Sequence, residues 1–450
     1  EVESLKELVI TDRAIDANVT EVSMGVDKID VKALRNMPSL FGEPDLIRLV
    51  QMMPGVITAG EGTSSYYVRG GSADQNLILI DEAPIYDPSH LFGYISVFNA
   101  DVIKSSQLYK GGIPSRYGGR LSSILDVQTI NGNDKKLSGS AGIGTLSSKI
   151  MLEGPIKKDV SSFLVSARRS YADAFLALAG NENRVYFYDV NAKFSARIGE
   201  KDRIYVAGYF GRDAFKLGGN FVFDWGNATG TLRWNHLFSD KLFSNTTLIV
   251  SRFDYGLELE DEAVGFRWTS KIQEYSLKQS FNWFISPTNE LEFGYHGTYR
   301  TFEPGRINPN TEGSIFDTVE LQKLFAIDHA IYVGNKLTPS ERFSMEYGLR
   351  LSIFQNVGPG TVRVYEDPQD NIRPTVVEER VYDDLEPIVT YTNWEPRLTM
   401  RYLINNRSSV KASYNRMAQN VHLISSGTVP LPFNTWNPSS PYLKPQIADQ

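Results

Sequence analysis

The sequence contains no cysteine, only five histidines and no excess of positive charge. The absence of cysteine excludes disulfide bonds and thiolate metal sites, and it fits a chain that crosses an oxidising compartment. The net charge of −7 argues against a nucleic-acid partner, because such proteins present a basic surface. Five histidines and no nucleophile motif leave nothing from which to build a catalytic site. We therefore expect no enzyme activity, no catalytic residues and no cofactor.

Long apolar runs are also missing. A membrane-spanning helix needs about 20 consecutive apolar residues, and no stretch of the sequence approaches that length. This excludes a helical membrane protein but not a membrane β-barrel, in which only every second strand residue faces lipid. No signal peptide is visible at Glu1, so we expect a mature or trimmed chain if the protein is exported.

Aromatic residues and glycine are abundant, with 23 Tyr, 24 Phe and 36 Gly. A chain rich in these residues and in polar turns suits a barrel whose two rims carry aromatic girdles. The clearest strand signal lies between residues 342 and 354, where polar and hydrophobic residues alternate with period two. Weaker copies recur at 291–300, 397–402 and 410–415. The first pattern places Glu346 and Arg350 on the face toward the lumen. The side chains predicted to face lipid are Phe343, Met345, Tyr347, Leu349, Leu351 and Ile353.

Short and long connections alternate along residues 137–450. The predicted tight turns are 157–159, 199–202, 239–241, 287–289, 335–340 and 405–407. The predicted long loops are 171–184, 211–222, 257–265, 303–320, 356–390 and 421–450. Outer-membrane barrels sort their connections in this way, with short periplasmic turns and long extracellular loops. The pattern predicts a transmembrane antiparallel β-barrel with roughly thirteen strands in this chain. Because an open sheet edge cannot face lipid, we expect further strands to follow.

Residues 31–130 follow a different pattern. The segment GEPDLIRLVQMMPGV predicts a short amphipathic helix that ends at Pro54 and Gly55. Tyr67 and Val68 precede a glycine turn, Leu77–Ile80 predicts a buried strand, and two more strands flank a glycine-rich turn further on. We interpret this segment as a separate small α/β module.

Four ordered segments of this module resemble the plug domain of TonB-dependent receptors. They are LIRLVQMMPGV, VRGG at Val68–Gly71, LILIDEAPIY at Leu77–Tyr86, and YKGGIPSRYGGRLSSILDV at Tyr109–Val127. The last segment resembles the ending that precedes the first barrel strand in this family, in a form similar to transporters of the Bacteroidota. The resemblance implies an outer-membrane barrel of about 22 strands, filled by the plug, in a Gram-negative bacterium. The chain would hold a leader at 1–30, the plug at 31–130 and the first part of the barrel at 137–450.

The resemblance also implies partners. The leader segment KELVITD is similar to the Ton box, which pairs with a strand of the periplasmic protein TonB. Strand addition relies on backbone hydrogen bonds and needs only a loose β-prone sequence, so an ordinary strand is the alternative. The other expected partners are outer-membrane lipid, a small or medium-sized extracellular ligand and, as a further candidate, a surface lipoprotein. The candidate Ton box residues are Leu8, Val9, Ile10 and Thr11.

Arginines and apex loops supply the remaining candidate residues. Arg69, Arg116 and Arg120 would lock the plug to carboxylates on the barrel wall, or else would be solvated. Loops 61–67 and 85–94 would form the plug apex and contact substrate, or else would be uninvolved surface loops. One His beside one Asp makes no metal site, and the acidic clusters at 258–262 and 383–386 are more typical of solvated loops than of calcium sites. The substrate candidates are Tyr66, Tyr86, Asp87, His90 and Tyr94.

Loops near 211–225 and 303–320 would close the site with Phe221, Phe223, Trp225 and Phe302. The expected function is import of a scarce nutrient, which could be a siderophore, cobalamin, a glycan or a peptide. The alternative is a transporter-derived scaffold, without transport of its own, inside a larger outer-membrane assembly. A soluble enzyme with β domains is disfavoured by the strand alternation and by the missing catalytic residues.

Overall fold

The computed structural model describes residues 17–31, 34, 43–58, 60, 64–218, 220–366, 374–424 and 434–450. The candidate Ton box residues Leu8, Val9, Ile10 and Thr11 lie outside these described residues. Within them, no helix is long and apolar enough to cross a membrane. The chain folds into a small N-terminal module, which we take as residues 17–130, and one large antiparallel sheet formed by the rest of the chain.

Among the described residues, two helices and nine strands of the N-terminal module have defined bounds. Its helices are α1 (Ala17–Thr20) and α2 (Leu46–Gln51), with 3-10 turns at Ala73–Gln75 and Leu91–Gly93. Its strands are β1 (Val26–Ile29), β2 (Val56–Thr58), β3 (Tyr66–Val68), β4 (Asn76–Ile80), β5 (Ala83–Pro84), β6 (Ser89–His90), β7 (Ile95–Ser96), β8 (Ile103–Tyr109) and β9 (Ser123–Thr129). The central sheet has the order β1-β8-β9-β4-β5, and only β4 and β9 run parallel.

Helix α2 shows how the sequence forms this module. Asp45 precedes the helix and its carboxylate accepts hydrogen bonds from the backbone N–H groups of Ile47 (2.8 Å) and Arg48 (3.1 Å). Such a cap satisfies N–H groups that have no partner inside the helix. The buried face of the helix, with Leu46 and Val50, packs into a hydrophobic core formed mainly by module residues. The helix predicted from the sequence is therefore present.

The large sheet is built from long strands in chain order. Its strands are β10 (Ser138–Ile143), β11 (Ser147–Lys157), β12 (Ser161–Ser170), β13 (Arg184–Ile198), β14 (Asp202–Leu217), β15 (Phe221–Ser239), β16 (Leu242–Leu259), β17 (Phe266–Ser286), β18 (Asn289–Pro309), β19 (Val319–Glu320), β20 (Leu324–Leu337), β21 (Phe343–Val357), β24 (Pro387–Asn405), β25 (Ser408–Gln419) and β28 (Gln446–Asp449). The hairpins β22 (Gly360–Tyr365) with β23 (Val376–Tyr382), and β26 (Val421–Ile424) with β27 (Thr435–Pro438), lie in its loops. Helix α3 (Ala172–Leu178) lies between β12 and β13.

The sheet surrounds the N-terminal module. Module residues form hydrogen bonds with strands β11, β14, β18, β24 and β25, which are spread across the whole sheet. The tight turns at 158–160, 199–201, 240–241, 287–288 and 406–407 lie at one end of the sheet, which we call the short-turn end. The longer connections lie at the opposite, long-loop end, where the pairs β10–β11 and β14–β15 are also closely connected. The observed architecture, a mainly β barrel-like sheet around an α/β module, confirms the predicted fold class.

The predicted register of β21 is confirmed. Tyr347 and Leu349 are 43% and 37% exposed on the outer face, whereas Arg350 is only 4% exposed on the inner face. Glu346 lines an inner cavity at the short-turn end. A shift of one residue would exchange the two faces, so the alternation alone determines which side chains meet the N-terminal module.

The predicted long loop at 211–222 is wrong. Strand β14 continues to Leu217 and β15 begins at Phe221, so both strands occupy most of this segment. Gly218, directly after β14, has a φ of +63°, a conformation that glycine adopts without steric cost. Trp225 therefore lies in a strand, as does Phe302 in β18, and both are fully buried in a core that joins module and sheet.

Candidate functional site

The inner face of the large sheet is polar where it meets the N-terminal module. Buried polar side chains occupy inward positions of successive strands, including Arg168, Asp189, Asn191, Asp213 and Asn227. Burying such groups is costly unless each finds a partner. Each buried polar side chain of the sheet therefore needs a hydrogen-bond or ion-pair partner. Where that partner belongs to the N-terminal module, it shows where module and sheet are joined.

His90 is the centre of one such match. Its side chain is 1% exposed, its Nδ1 lies 2.6 Å from a carboxylate oxygen of Asp213 and its Nε2 lies 3.2 Å from one of Asp189. The ring stacks on Phe187 with a centroid distance of 4.3 Å. Asp213 also accepts a hydrogen bond from the backbone N–H of Leu91 at 2.8 Å. The β6 segment of the module is thus held to strands β13 and β14.

Arg168 extends this contact into a network. Its Nε donates to Asp189 at 3.0 Å, and its Nη2 donates to the backbone carbonyl of Ser96 at 3.0 Å. A second ion pair joins Arg168 to Glu43 at 3.9 Å. We call His90, Glu43, Arg168, Asp189 and Asp213 the His90 network.

The neighbouring charges of the His90 network change the pKa of His90. Burial lowers the pKa of His90, but the carboxylates of Asp213 and Asp189 outweigh burial and raise this pKa to about 9. His90 is therefore a cation at neutral pH and pairs with two anions. His90 lies apart from the apex cavity described next, and ligand contact by His90 stays a prediction.

A cavity of about 120 Å³ lies between the N-terminal module and the sheet near the long-loop end. We call it the apex cavity. Tyr66, Tyr86 and Asp87 line it, as the sequence predicts for residues at the substrate site, whereas Tyr94 is 48% exposed and does not. Three aromatic residues that the sequence did not single out for this cavity complete its wall: Phe92, Phe253 and Trp436.

The sheet positions the loop that carries Tyr86 and Asp87. The Tyr86 hydroxyl donates to Glu274 at 2.9 Å, and its backbone N–H donates to Asn227 at 3.3 Å. Asn227 in turn donates its amide to the backbone carbonyl of Asp87 at 2.7 Å. The Tyr86 ring meets Trp436 edge-on at 5.2 Å. The position of this side of the cavity is therefore set by strands β15 and β17.

The three arginines predicted to join the N-terminal module to the sheet make different contacts. Arg116 forms an ion pair with Glu292 of β18 at 2.9 Å, as predicted for a contact between the two parts. Arg120 donates to the carbonyl of Val421 in the β26–β27 hairpin at 3.2 Å and lies over the Trp436 ring at 5.1 Å. No ion pair joins it to a carboxylate of the described part of the sheet.

Arg69 does not make the predicted contact with a carboxylate of the sheet. Its guanidinium lies inside the module, where a Cβ added to Gly25 or Gly111 would collide with it. Its backbone has a φ of +49°, which turns the side chain back toward the module. The two glycines provide the space that this arrangement needs.

A second, larger cavity of about 540 Å³ lies at the short-turn end. Charged side chains from both parts line it, including Arg116, Glu292, Glu346, Arg397 and Arg401. Among the described residues, no group of three or more His, Cys, Asp or Glu side chains could hold a metal ion.

The sequence did not single out Arg168, Asp189, Asp213 or Glu274. The available signal was alternation, because in β13 Asp189 falls on the same face as Asn191 and Lys193. That signal identifies an inward charge but not its partner, since His90 is 99 residues from Asp189 and 123 from Asp213.

Comparison with known proteins identifies one family in the N-terminal part of the chain. Residues 19–123 match the family model described as TonB-dependent Receptor Plug Domain. No curated protein sequence matches the chain.

Three solved structures illustrate the likeness. The siderophore receptor PirA from Acinetobacter baumannii has a TM-score of 0.63 at 15% identity, covering 91% of this chain and 63% of its own. The ferric yersiniabactin uptake receptor FyuA from Yersinia pestis has a TM-score of 0.61 at 12% identity, covering 92% and 67%. A double mutant of the Serratia marcescens hemophore receptor HasR, in complex with its hemophore HasA and heme, has a TM-score of 0.63 at 12% identity, covering 94% and 68%.

The chain thus spans about 63% of the length of PirA. The family match and these structures together show a plug domain followed by a barrel-like sheet, the fold of TonB-dependent receptors.

Proposed function

We propose that this protein is an outer-membrane receptor that binds a scarce extracellular nutrient and imports it to the periplasm by TonB-driven movement of its plug. The plug is the N-terminal module, and the barrel is the large sheet. The observation that carries the proposal is the polar, ion-paired interface between them, above all the His90 network. The plug-domain match and the siderophore and heme receptors among the similar structures support it.

A polar interface suits a plug that must move. Separating an apolar interface exposes hydrophobic surface to water, at about 25 cal/mol for each Å². Charged and hydrogen-bonding groups, in contrast, regain hydration when water enters between them. Opening the His90 network exchanges protein contacts for water contacts, whereas separating Leu91 and Ile95 from the core that they share with the sheet exposes hydrophobic surface. The plug's own core is packed around α2 and is formed mainly by module residues.

The plug enters the barrel from the short-turn end. Lys411 of β25 donates to the backbone carbonyl of Ser23 at 3.2 Å, and Arg401 of β24 donates to that of Thr20. Both strands adjoin the tight turn at 406–407. In an outer-membrane barrel the short turns face the periplasm. The leader that precedes α1 would then be placed where TonB acts, and the apex cavity would be on the extracellular side.

Several narrower assignments belong to the same proposal. The division predicted from the sequence has a leader at 1–30, a plug at 31–130 and the first part of the barrel at 137–450. Because β1 pairs with β8 of the central sheet, we extend the plug to residue 17 and shorten the leader to 1–16. The RYGGRLSSILDV segment supports a Bacteroidota-type transporter, and a surface lipoprotein stays a candidate partner.

Substitution in the candidate Ton box tests the proposal. Ile10→Pro removes a backbone donor and fixes φ, so strand pairing with TonB should fail. Energised uptake of a labelled nutrient by cells should be lost, whereas binding of that nutrient to de-energised cells should persist. Val2→Pro, which places the same change outside the candidate segment, serves as the control.

Two results would contradict the proposal. Normal uptake by the Ile10→Pro variant would show that TonB contacts another segment or none. Binding without energised uptake by the unaltered protein would instead identify the transporter-derived scaffold.

A further inference from the structure

The apex cavity is acidic. Its only charged lining residues, within the part of the chain that the structure describes, are Asp74 and Asp87. No lysine, arginine or histidine among these residues lines it. Arg120 lies over the Trp436 ring and donates to the carbonyl of Val421. A negatively charged ligand would meet two carboxylates and no cationic side chain among the described lining residues.

Asp87 forms no ion pair with the residues that the structure describes, although the charge of His90 acts on it. One of its oxygens accepts hydrogen bonds from the backbone N–H (3.0 Å) and the hydroxyl (2.5 Å) of Ser89. By contrast, Asp189 and Glu274 of the sheet each form an ion pair with an arginine, Arg168 and Arg300 respectively. An incompletely partnered carboxylate in a cavity wall is a strong acceptor for a donor or a cation.

Asp74 is held in place by the barrel. One carboxylate oxygen accepts hydrogen bonds from the side-chain amide of Gln419 at 2.9 Å and from the backbone N–H of Leu423 at 3.4 Å. All of these donors are neutral, and no ion pair joins Asp74 to a cation among the described residues, although Asp74 interacts electrostatically with Arg120. The two carboxylates are thus fixed on two separate plug loops at one cavity.

Aromatic side chains form much of the rest of the wall. Tyr86, Phe92, Phe253 and Trp436 line the same cavity as the two carboxylates. Aromatic faces attract cations through the ring quadrupole, and the attraction increases where water is excluded. Trp436 already lies under one guanidinium, that of Arg120, at 5.1 Å. Carboxylates combined with aromatic rings form the typical chemical surroundings of an ammonium or guanidinium group.

We propose that the apex cavity binds a cationic group of the imported ligand, namely a protonated amine or a guanidinium. This inference rests on the proposed function and adds the chemical class of the ligand to it. The volume of about 120 Å³ suits one side-chain-sized group, since a cavity of about 150 Å³ holds a single benzene molecule. The cavity therefore recognises one charged end of a larger ligand, such as a basic peptide or a polyamine.

Binding should depend on pH in a definite direction. Burial raises the pKa of Asp87 to about 6, against the hydrogen bonds from Ser89 that lower it. Asp213 of β14 raises this pKa further, whereas His90 lowers it, and the Tyr209 hydroxyl also faces this group. Asp87 is ionised above pH 6 and attracts a cation there, so affinity for a cation should fall below pH 6.

The test compares three tripeptides as probes against the whole natural protein in detergent. Trilysine should bind at pH 7.5 at least tenfold more tightly than triserine, and triglutamate should not bind measurably. Asp87→Asn should weaken trilysine binding at least tenfold, and the remaining affinity should fall less between pH 7.5 and pH 5 than that of the unaltered protein. Asp87→Glu should retain most of the affinity. Isothermal titration calorimetry measures all of these affinities.

Asp317→Asn is the matched control, because it removes the same charge from an exposed loop residue at the long-loop end. It should leave trilysine binding unchanged, and equal melting temperatures should show that all variants fold. Equal trilysine affinity in the Asp87→Asn and unaltered proteins would overturn the inference, as would tighter binding of triglutamate.

The two proposals can fail separately. TonB-dependent uptake together with binding that is independent of Asp87 would overturn this inference alone. Binding that depends on Asp87 without energised uptake would instead overturn the proposed transport and leave the cation site in place.

Discussion

His90 and its two carboxylates form the most specific contact between plug and barrel at the scale of single residues. The imidazolium has two anionic neighbours, and one of these, Asp189, is shared with Arg168. Removing one member of a buried charged set leaves the others without compensation, which is far more costly than losing an exposed pair. Residues of this network should therefore determine how firmly the plug is held.

Replacing His90 by alanine should loosen the plug. The change leaves Asp213 buried without a cation, for which a cost of about 3–5 kcal/mol is typical. We expect the plug to become sensitive to protease at a lower urea concentration, measured by cleavage within residues 17–130. His329→Ala is the control, because His329 is exposed on the outer face and contacts Tyr295. Equal urea midpoints for both variants would show that the network does not hold the plug.

The same residue predicts a dependence of stability on pH. The pKa of His90 is raised from 6.5 to about 9 in the folded protein. A histidine whose pKa is raised by folding stabilises the folded state. This stabilisation is complete below the pKa of the unfolded state and is lost as the pH rises through the pKa of the folded state. Thermal unfolding should therefore shift to lower temperature between pH 7 and 10. A His90→Gln variant should lose this part of the pH dependence, and a parallel curve for both proteins would contradict the assignment.

At the scale of elements, alternation predicts which face of a strand is buried. In β21 it identified the outward Leu349 and the inward Arg350 before any partner was known. The length of a strand was harder to predict, because the glycines and polar residues near 211–222 resemble a loop. Strand β14 ends only at Leu217, and β15 already begins at Phe221. Hydrogen bonding to the neighbouring strand overrides local composition there.

The outward position of Leu349 leads to a prediction about membrane insertion. Leu349→Arg should destabilise the folded barrel in phospholipid bilayers by about 2–4 kcal/mol if the residue is near the midplane. Leu349→Ala separates the loss of the side chain from the gain of charge and should cost less. Folding titrations in vesicles provide the measurement. An arginine variant as stable as the alanine variant would place Leu349 away from lipid.

At the scale of the whole molecule, the fold could be predicted and the interface could not. The four plug segments and the roughly thirteen alternating strands indicate a plug and a barrel. Contacts such as Arg168 with Ser96, or Tyr86 with Glu274, join residues 72 and 188 positions apart. Sequence pattern gives each side chain a face but does not give the rotation of plug against barrel. The partners of Asp189, Asp213 and Glu274 depend on that rotation.

A covalent tether should stop transport if the plug must move. The amide of Asn99 in the plug donates to the hydroxyl of Ser166 in β12 at 2.9 Å. Because the chain has no native cysteine, Asn99→Cys with Ser166→Cys introduces a pair without competing thiols. Uptake by the oxidised double variant should fall at least tenfold and return after reduction, whereas each single variant should be unaffected. Full uptake by a protein shown by mass spectrometry to be cross-linked would rule out movement of this part of the plug.

The position of β1 determines where a mechanical load would act first. This strand lies at the edge of the plug sheet and joins it through four residue pairs with β8, from Val26–Tyr109 to Ile29–Ser106. A force applied to the leader reaches β1 before any other strand, and its antiparallel ladder is short compared with the joints of β8 and β4 to β9. The pairing of β1 with β8 is thus both the shortest of these ladders and the one closest to the leader. A pull on the leader would separate β1 from β8 and extend the chain before the other strands of the plug sheet were under tension.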